Sequence, residues 1–182
     1  MKATNNTEDL RRIITRRREQ ALDRSDFISL TVRLAVVVLA GWVLFTQVFL
    51  ITQASGSAMF PSVKDGDLLI GFRLQQTYQK GDVVIYHQDG NIRVGRICAN
   101  STDYVDIDEE GVLRVNGTVQ SGEILYPTYA KEGLTYPVQV PQGCVFILGD
   151  YRTQSQDSRD FGPVSLDNVQ AKVITILRRR GL

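Results

Sequence analysis

The sequence predicts a mainly β domain of the barrel or sandwich type, preceded by one transmembrane helix. Three observations carry that prediction. Leu34 to Ile51 is a run of 18 residues without a charged side chain. Beyond it, short runs of β-branched and aromatic residues alternate with Asp-Gly, Lys-Gly and Asn-Gly pairs, which are turn signals. No helical period longer than two turns appears before about residue 165.

Taken in order, residues 1–33 carry eight Lys/Arg against five Asp/Glu, and residues 53–182 carry 13 against 15. The net charge is +1, so no nucleic-acid partner is expected. Leu10, Ile13 and Ile14 mark no broad apolar face, although Ile13 and Arg17 fall one turn apart; residues 1–33 read as a solvated basic tail. A stretch of about 20 apolar residues crosses a bilayer's hydrocarbon core, so residues 34–52 read as a transmembrane helix with Arg33 snorkelling at its edge. A buried core helix of this length suits a small protein poorly. A cleaved secretory signal ending at Thr52-Gln53-Ala54 has a much shorter basic segment before it. Arg11, Arg12, Arg16, Arg17, Arg18 and Arg24 precede the run, which places the N-terminus in the cytoplasm. The expectation is a single pass through the cell membrane, with residues 53–182 extracellular and the lipid bilayer as one partner.

Within that outer domain, strands are expected around Leu68–Ile70, Val83–Tyr86, Ile92–Val94, Tyr104–Ile107, Val112–Val115 and Val145–Leu148, with a last one at Val169–Leu177; all are rich in β-formers. Asp89-Gly90 and Asn116-Gly117 suit tight hairpins because both residues of each pair tolerate positive φ. Arg178, Arg179 and Arg180 read as a solvated end. Cys98 and Cys144 lie in separate apolar segments and read as small buried hydrophobes. A single histidine, His87, rules out most histidine-based metal clusters, and no metal or cofactor is expected.

Four segments carry a more specific pattern. Residues 56–67 read G-S-A-M-F-P-S-V-K-D-G-D, residues 81–84 G-D-V-V, residues 94–97 V-G-R-I, and residues 149–164 G-D-Y-R-T-Q-S-Q-D-S-R-D-F-G-P-V. In order, spacing and the preceding apolar run they resemble bacterial type I signal peptidases, the S26 family of membrane-bound serine proteases. The resemblance covers nearly all of residues 34–176 and implies a signal-peptidase-like β domain. It also implies a Ser–Lys dyad, in which a desolvated neutral amine takes the proton of an attacking hydroxyl.

Anchored on Met59 and Pro61, the serine position falls on Ala58. Anchored on Gly81-Asp82 and Arg96, the lysine position falls on Gly95. Both dyad members are therefore absent, and no intact catalytic set is expected. Ser55 and Ser57 flank position 58, but in an extended segment alternate side chains face opposite ways, so both are expected to point away from the cleft. Arg93 and Arg96 do not deprotonate, and Lys64 and Lys80 lie beside turns. Of the retained motif residues, Asp67 and Asp82 are read as fixing turns. Pro61, Asp150, Arg152, Ser155, Asp157, Ser158 and Arg159 are read as scaffold, the last group a loop closed by Asp–Arg hydrogen bonds. Gly56 matches a position lining the family's oxyanion hole.

A signal peptidase holds its substrate as an added strand, which needs no nucleophile. The groove is expected along Ser55, Gly56, Ser57, Ala58, Met59 and Phe60 on one side and Arg93, Val94 and Gly95, running on to Cys98, on the other. The chain most resembles the non-catalytic SipA-type signal-peptidase-like proteins of Gram-positive pilus clusters. That resemblance implies a pseudoenzyme binding a pilin subunit or pilin precursor as a chaperone-like factor in sortase-dependent assembly, beside a class C sortase. Two alternatives stand with it: an active serine endopeptidase whose Ala58 is engineered or whose dyad is displaced, and a non-enzymatic modulator of the sortase.

Overall fold

The computed structural model describes residues 27–120 and 126–178. The basic tail at residues 1–26, with its arginines and the Ile13/Arg17 turn, lies outside the described residues, as do Arg179 and Arg180. The chain divides into two units, residues 1–46 and 47–182.

The first unit is built on helix α1, Phe27–Val48, which is 22 residues long. At 1.5 Å per residue that is about 33 Å, enough for a hydrocarbon core of about 30 Å. Its residues 27–47 are exposed, and its length and apolar character are those of a helix that could span a membrane. The helix therefore starts earlier than Leu34, taking in Phe27, Ile28 and Leu30. It also ends sooner, because Phe49–Thr52 belong to a strand. The uncharged run had concealed that boundary: apolar β-formers at the end of a helix look the same in sequence as a further helical turn.

The second unit is mainly β, in two antiparallel sheets. The larger takes strands in the order β1-β2-β11-β3-β4-β9-β10. These are β1 (Phe49–Gln53), β2 (Leu68–Phe72), β3 (Val83–Gln88), β4 (Asn91–Ala99), β9 (Cys144–Leu148), β10 (Val164–Ser165) and β11 (Val169–Leu177). The smaller sheet runs β7-β6-β5-β8, from β5 (Tyr104–Ile107), β6 (Leu113–Val115), β7 (Thr118–Val119) and β8 (Val138–Gln139). All seven expected strands are present. The ones missed are β1, hidden in the apolar run, and the two-residue strands β7, β8 and β10, too short to show a period.

Turn chemistry sets the hairpins. Asp89 and Gly90 take φ of 52° and 74°, and Asn116 and Gly117 take 51° and 76°, the doubly left-handed turn that matches strand twist. The first fixes the β3–β4 register, Gln88 opposite Asn91 through Val83 opposite Arg96. Val84, Ile85 and Tyr86 are buried in succession because β3 is covered on both faces. Val84 and Tyr86 join one apolar cluster with Ile97, Val145 and Ile147. Ile85 joins another with Ala54, Met59, Val63, Leu69 and Ala171. A third cluster ties Phe146 and Leu148 of β9 to Val105, Ile107, Leu113 and Val115 of the smaller sheet. Cys98 is buried and Cys144 half-buried against this last cluster, and both are free thiols.

Candidate functional site

Residues 54–67 form a turned excursion between β1 and β2, not an extended strand. Phe60 N–H donates to Ser57 O at 2.9 Å, and Val63 N–H to Met59 O at 2.8 Å. Gly56, at φ 81°, presents its N–H to Asp65 Oδ1 at 2.7 Å. Asp67 is buried and accepts from Lys64 N–H at 2.9 Å, closing the excursion. Asp82 does the same for the turn before β3, accepting from Gln79 N–H at 2.9 Å and pairing with Lys172 at 2.8 Å.

This excursion faces the first half of β4 across a cleft of about 420 Å³. Ser55, Gly56, Ala58 and Met59 line one wall, and Arg93 and Val94 the other. Thr52, Gln53, Ala54, Val63, Asn91, Ile92 and Gln156 also line it and were not foreseen. Thr52 falls at the end of the segment that the sequence assigns to the membrane, and Gln156 sits at a variable position of the last motif.

Three expected groove residues stand elsewhere. Ser57 is exposed outside the cleft lining. The alternation that turned Ser55 away fails because the segment is not extended. Phe60 is 39% exposed, its ring 6.1 Å from that of Tyr151. It precedes Pro61, which is half-buried. Gly95 is buried, and from Arg96 onwards β9 covers the edge of β4, so the wall stops at Val94 and does not reach Cys98.

Position 95 is closed by packing. A Cβ placed there would overlap Ile147 Cγ2 and lie 3.3 Å from a Tyr86 ring carbon. Ile147 is branched at Cβ and cannot swing that methyl away without changing rotamer. Burial, with the charge of Asp157 adding to it, raises the Tyr86 phenol, so Tyr86 stays neutral near pH 7. A methyl at 58 and a hydrogen at 95 neither attack a carbonyl nor accept a proton. Burial likewise pushes the Cys98 thiol up, which keeps it from being a thiolate nucleophile.

The last motif folds around Ala58. Ala58 O accepts from Tyr151 N–H at 2.9 Å, and a Cβ on Gly149 would overlap both Ala58 O and Ser155, so only glycine permits this approach. Helix α2, Ser158–Phe161, is capped by Asp157, whose backbone N–H in turn donates to Asp160 Oδ2 at 2.8 Å. Ser158 Oγ accepts from Ile147 N–H at 2.9 Å, pinning the motif to β9.

Arg159 is 1% exposed and reaches both Asp157 oxygens at 2.9 Å, Ser155 Oγ at 3.1 Å and Arg152 O at 2.6 Å. Ser155 Oγ donates to Asp157 Oδ2 at 2.5 Å. Burial pushes the Asp157 carboxyl up. Arg159's hydrogen bonds and charge, with donors from Ser155 and Gly149, outweigh it and hold the carboxyl below its ordinary value. Asp150 takes Arg96 through both oxygens, at 2.8 and 2.6 Å. Arg152 donates to Gly149 O at 2.8 Å and to Thr128 Oγ1.

Among the described residues, each lysine is ion-paired or exposed. Lys80 pairs with Asp103, Lys131 with Asp160 and Lys172 with Asp82, while Lys64 stands in solvent. Lys131, which also donates to Ser155 O at 2.6 Å, was not foreseen. It lies in a loop with no local pattern to mark it.

Comparison with known proteins gives the following. The family described as "Signal peptidase, peptidase S26" matches residues 25–177. Signal peptidase I of Bacillus caldolyticus is 31% identical over 155 residues, covering 76% of this chain and 84% of that protein. Thylakoidal processing peptidase 1, chloroplastic, of Arabidopsis thaliana is 27% identical over 134 residues, covering 65% of this chain; the match spans only 38% of that longer protein. The crystal structure of a signal peptidase I from Enterococcus faecalis V583 superposes with a TM-score of 0.46 at 25% identity, covering 55% of this chain and 98% of that one.

Proposed function

Because the chain belongs to the S26 signal peptidase family, we propose that it is a membrane-anchored, non-catalytic member of it. In this reading it holds an extended segment of a pilin or pilin precursor and acts as a chaperone-like factor in sortase-dependent pilus assembly. Helix α1 is the anchor, with the N-terminus cytoplasmic and the β domain outside the cell.

One observation carries the docking function. Asn91–Gly95 of β4 pair with β3 on one side, whereas β9 takes the other side only from Arg96 onwards. Among the described residues no strand pairs with that edge of Asn91–Gly95, which borders the cleft, so an added strand can take it. The absence of catalysis is supported by the side chains at 58 and 95, by the packing of Ile147 into the space beside Gly95, and by the ion-paired or exposed state of the described lysines.

An active serine endopeptidase is the second reading. It is favoured by the buried Ser155–Asp157–Arg159 set, which persists in full although no lysine stands at position 95. One experiment separates the two. Full-length wild type and Ala58→Ser, in detergent, are incubated with a pilin precursor and with a class C sortase. Both proteins should retain the precursor in a pull-down and release no mature product. Cleavage by Ala58→Ser would mean that a base is present and would sink the non-catalytic reading. Capture of sortase alone would favour the sortase-modulating alternative, and capture of neither would remove the docking function.

A further inference from the structure

Among the described residues, Arg93 is the only charged side chain lining the cleft, and its charge has no carboxylate partner there. Its Nη2 donates to the neutral amide oxygen of Gln156 at 3.0 Å, and its Nε is buried without a hydrogen-bond partner. The guanidinium carbon stands 5.8 Å from the centre of the Phe161 ring, a cation–π distance that holds the head group in place. The carboxylates of the adjoining motif are already engaged, Asp157 by Arg159 and Asp160 by Lys131. Elsewhere in the domain, Arg114 has Asp108 and Arg96 has Asp150. A positioned, partly desolvated cation left uncompensated on the wall of a cleft is costly unless an anion completes it.

Its place in the sheet defines how the anion would arrive. Arg93 lies on the half of β4 whose outer edge is uncovered. A residue opposite it on an added strand projects to the same face. The neighbours of that residue project to the other face, where Val94 packs with Ala54, Met59 and Val63.

We propose that the cleft selects an extended segment carrying an acidic side chain, which pairs with Arg93 while its neighbours in the segment contact the apolar floor. This rests on the docking function above and adds the chemistry of the occupant.

The probes are three blocked, fluorescently labelled octapeptides of alternating Ala and Glu, Ala and Gln, or Ala and Lys. Their period of two puts every test side chain on one face, so any register shifted by two residues presents the same side chains to Arg93. Binding to the full-length protein in neutral detergent is read by anisotropy. Wild type should bind the Glu peptide about fivefold more tightly than the Gln peptide, the factor given by about 1 kcal/mol for a partly exposed ion pair, and the Lys peptide least. Arg93→Gln should bind the Glu and Gln peptides equally, Arg93→Lys should keep the preference, and Arg93→Glu should favour the Lys peptide. Equal binding of the Glu and Gln peptides by wild type, or a Glu preference that survives in Arg93→Gln, overturns the acidic specificity and leaves docking standing. Failure of wild type to bind all three peptides overturns both.

Discussion

Gly95→Lys is expected to destabilise the β domain by about 3–5 kcal/mol, combining overpacking of a tight core with burial of an unpaired amine. The space beside Gly95 is filled by Ile147 Cγ2 and the Tyr86 ring, in the cluster that also holds Val84, Ile97 and Val145. The overpacking is specific to one neighbour, so it is testable as a coupling. Ile147→Ala alone removes buried methyl groups and costs about 2–5 kcal/mol. In Gly95→Lys/Ile147→Ala the lysine stem takes up the vacated volume, and the pair should be at least about 1 kcal/mol more stable than the sum of the single losses. Thermal unfolding of the full-length protein in detergent, followed by circular dichroism, measures this. Additive losses would show that Ile147 is not what closes position 95. The same variants bear on catalysis. If Ala58→Ser/Gly95→Lys is inert but gains peptidase activity when Ile147→Ala is added, the packing of Ile147 is what keeps the lysine position shut.

Removing Arg159 should cost about as much, by a different route. Arg159→Met leaves Asp157, 1% exposed, without its ion-pair partner, and breaking one side of a buried pair costs about 3–5 kcal/mol. The pH dependence gives the sign. In the native protein the Asp157 carboxyl lies below its ordinary value of 3.8. Its contribution to stability is complete above that value and is lost as pH falls through the lower, folded-state pKa. Without Arg159, burial is the largest remaining influence and pushes the carboxyl up. The folded variant then binds a proton more readily than the unfolded chain, so its stability declines as pH rises above the ordinary carboxylate range. Wild type should therefore hold steady from pH 7 to about 5 and weaken below about 4, whereas Arg159→Met should gain stability between pH 7 and 5. Parallel pH profiles for the two proteins would show that the Asp157–Arg159 pair is not the source.

Much of this molecule is legible in its residues. Alternating β-formers and Asp-Gly and Asn-Gly pairs locate seven strands and two hairpins, because a doubly left-handed turn is a local demand that few residue pairs meet. The motif at residues 149–164 is legible for a related reason. Its Ser155, Asp157 and Arg159 satisfy one another within a few residues, whereas Asp150 and Arg152 also take the distant partners Arg96 and Thr128. The short strands β7, β8 and β10 were not legible, since two residues carry no period. The face presented by Ser55 was misjudged because backbone turns through residues 57–63 replace the extended alternation that side-chain counting assumes.

By itself, then, the sequence determined the apolar helix, the β character of the remainder, the family, and the residue types at positions 58 and 95. Each of these is a property of composition, local conformation or short spacing. Only the tertiary structure decided that the apolar run divides between α1 and β1, since β2 must be in place to pair with Phe49–Gln53. The same holds for the filling of the space beside Gly95 by a side chain 52 residues away on β9, and for the cleft wall that ends at Val94. These depend on which strands become neighbours, and contacts between distant segments leave no trace in the spacing of either one.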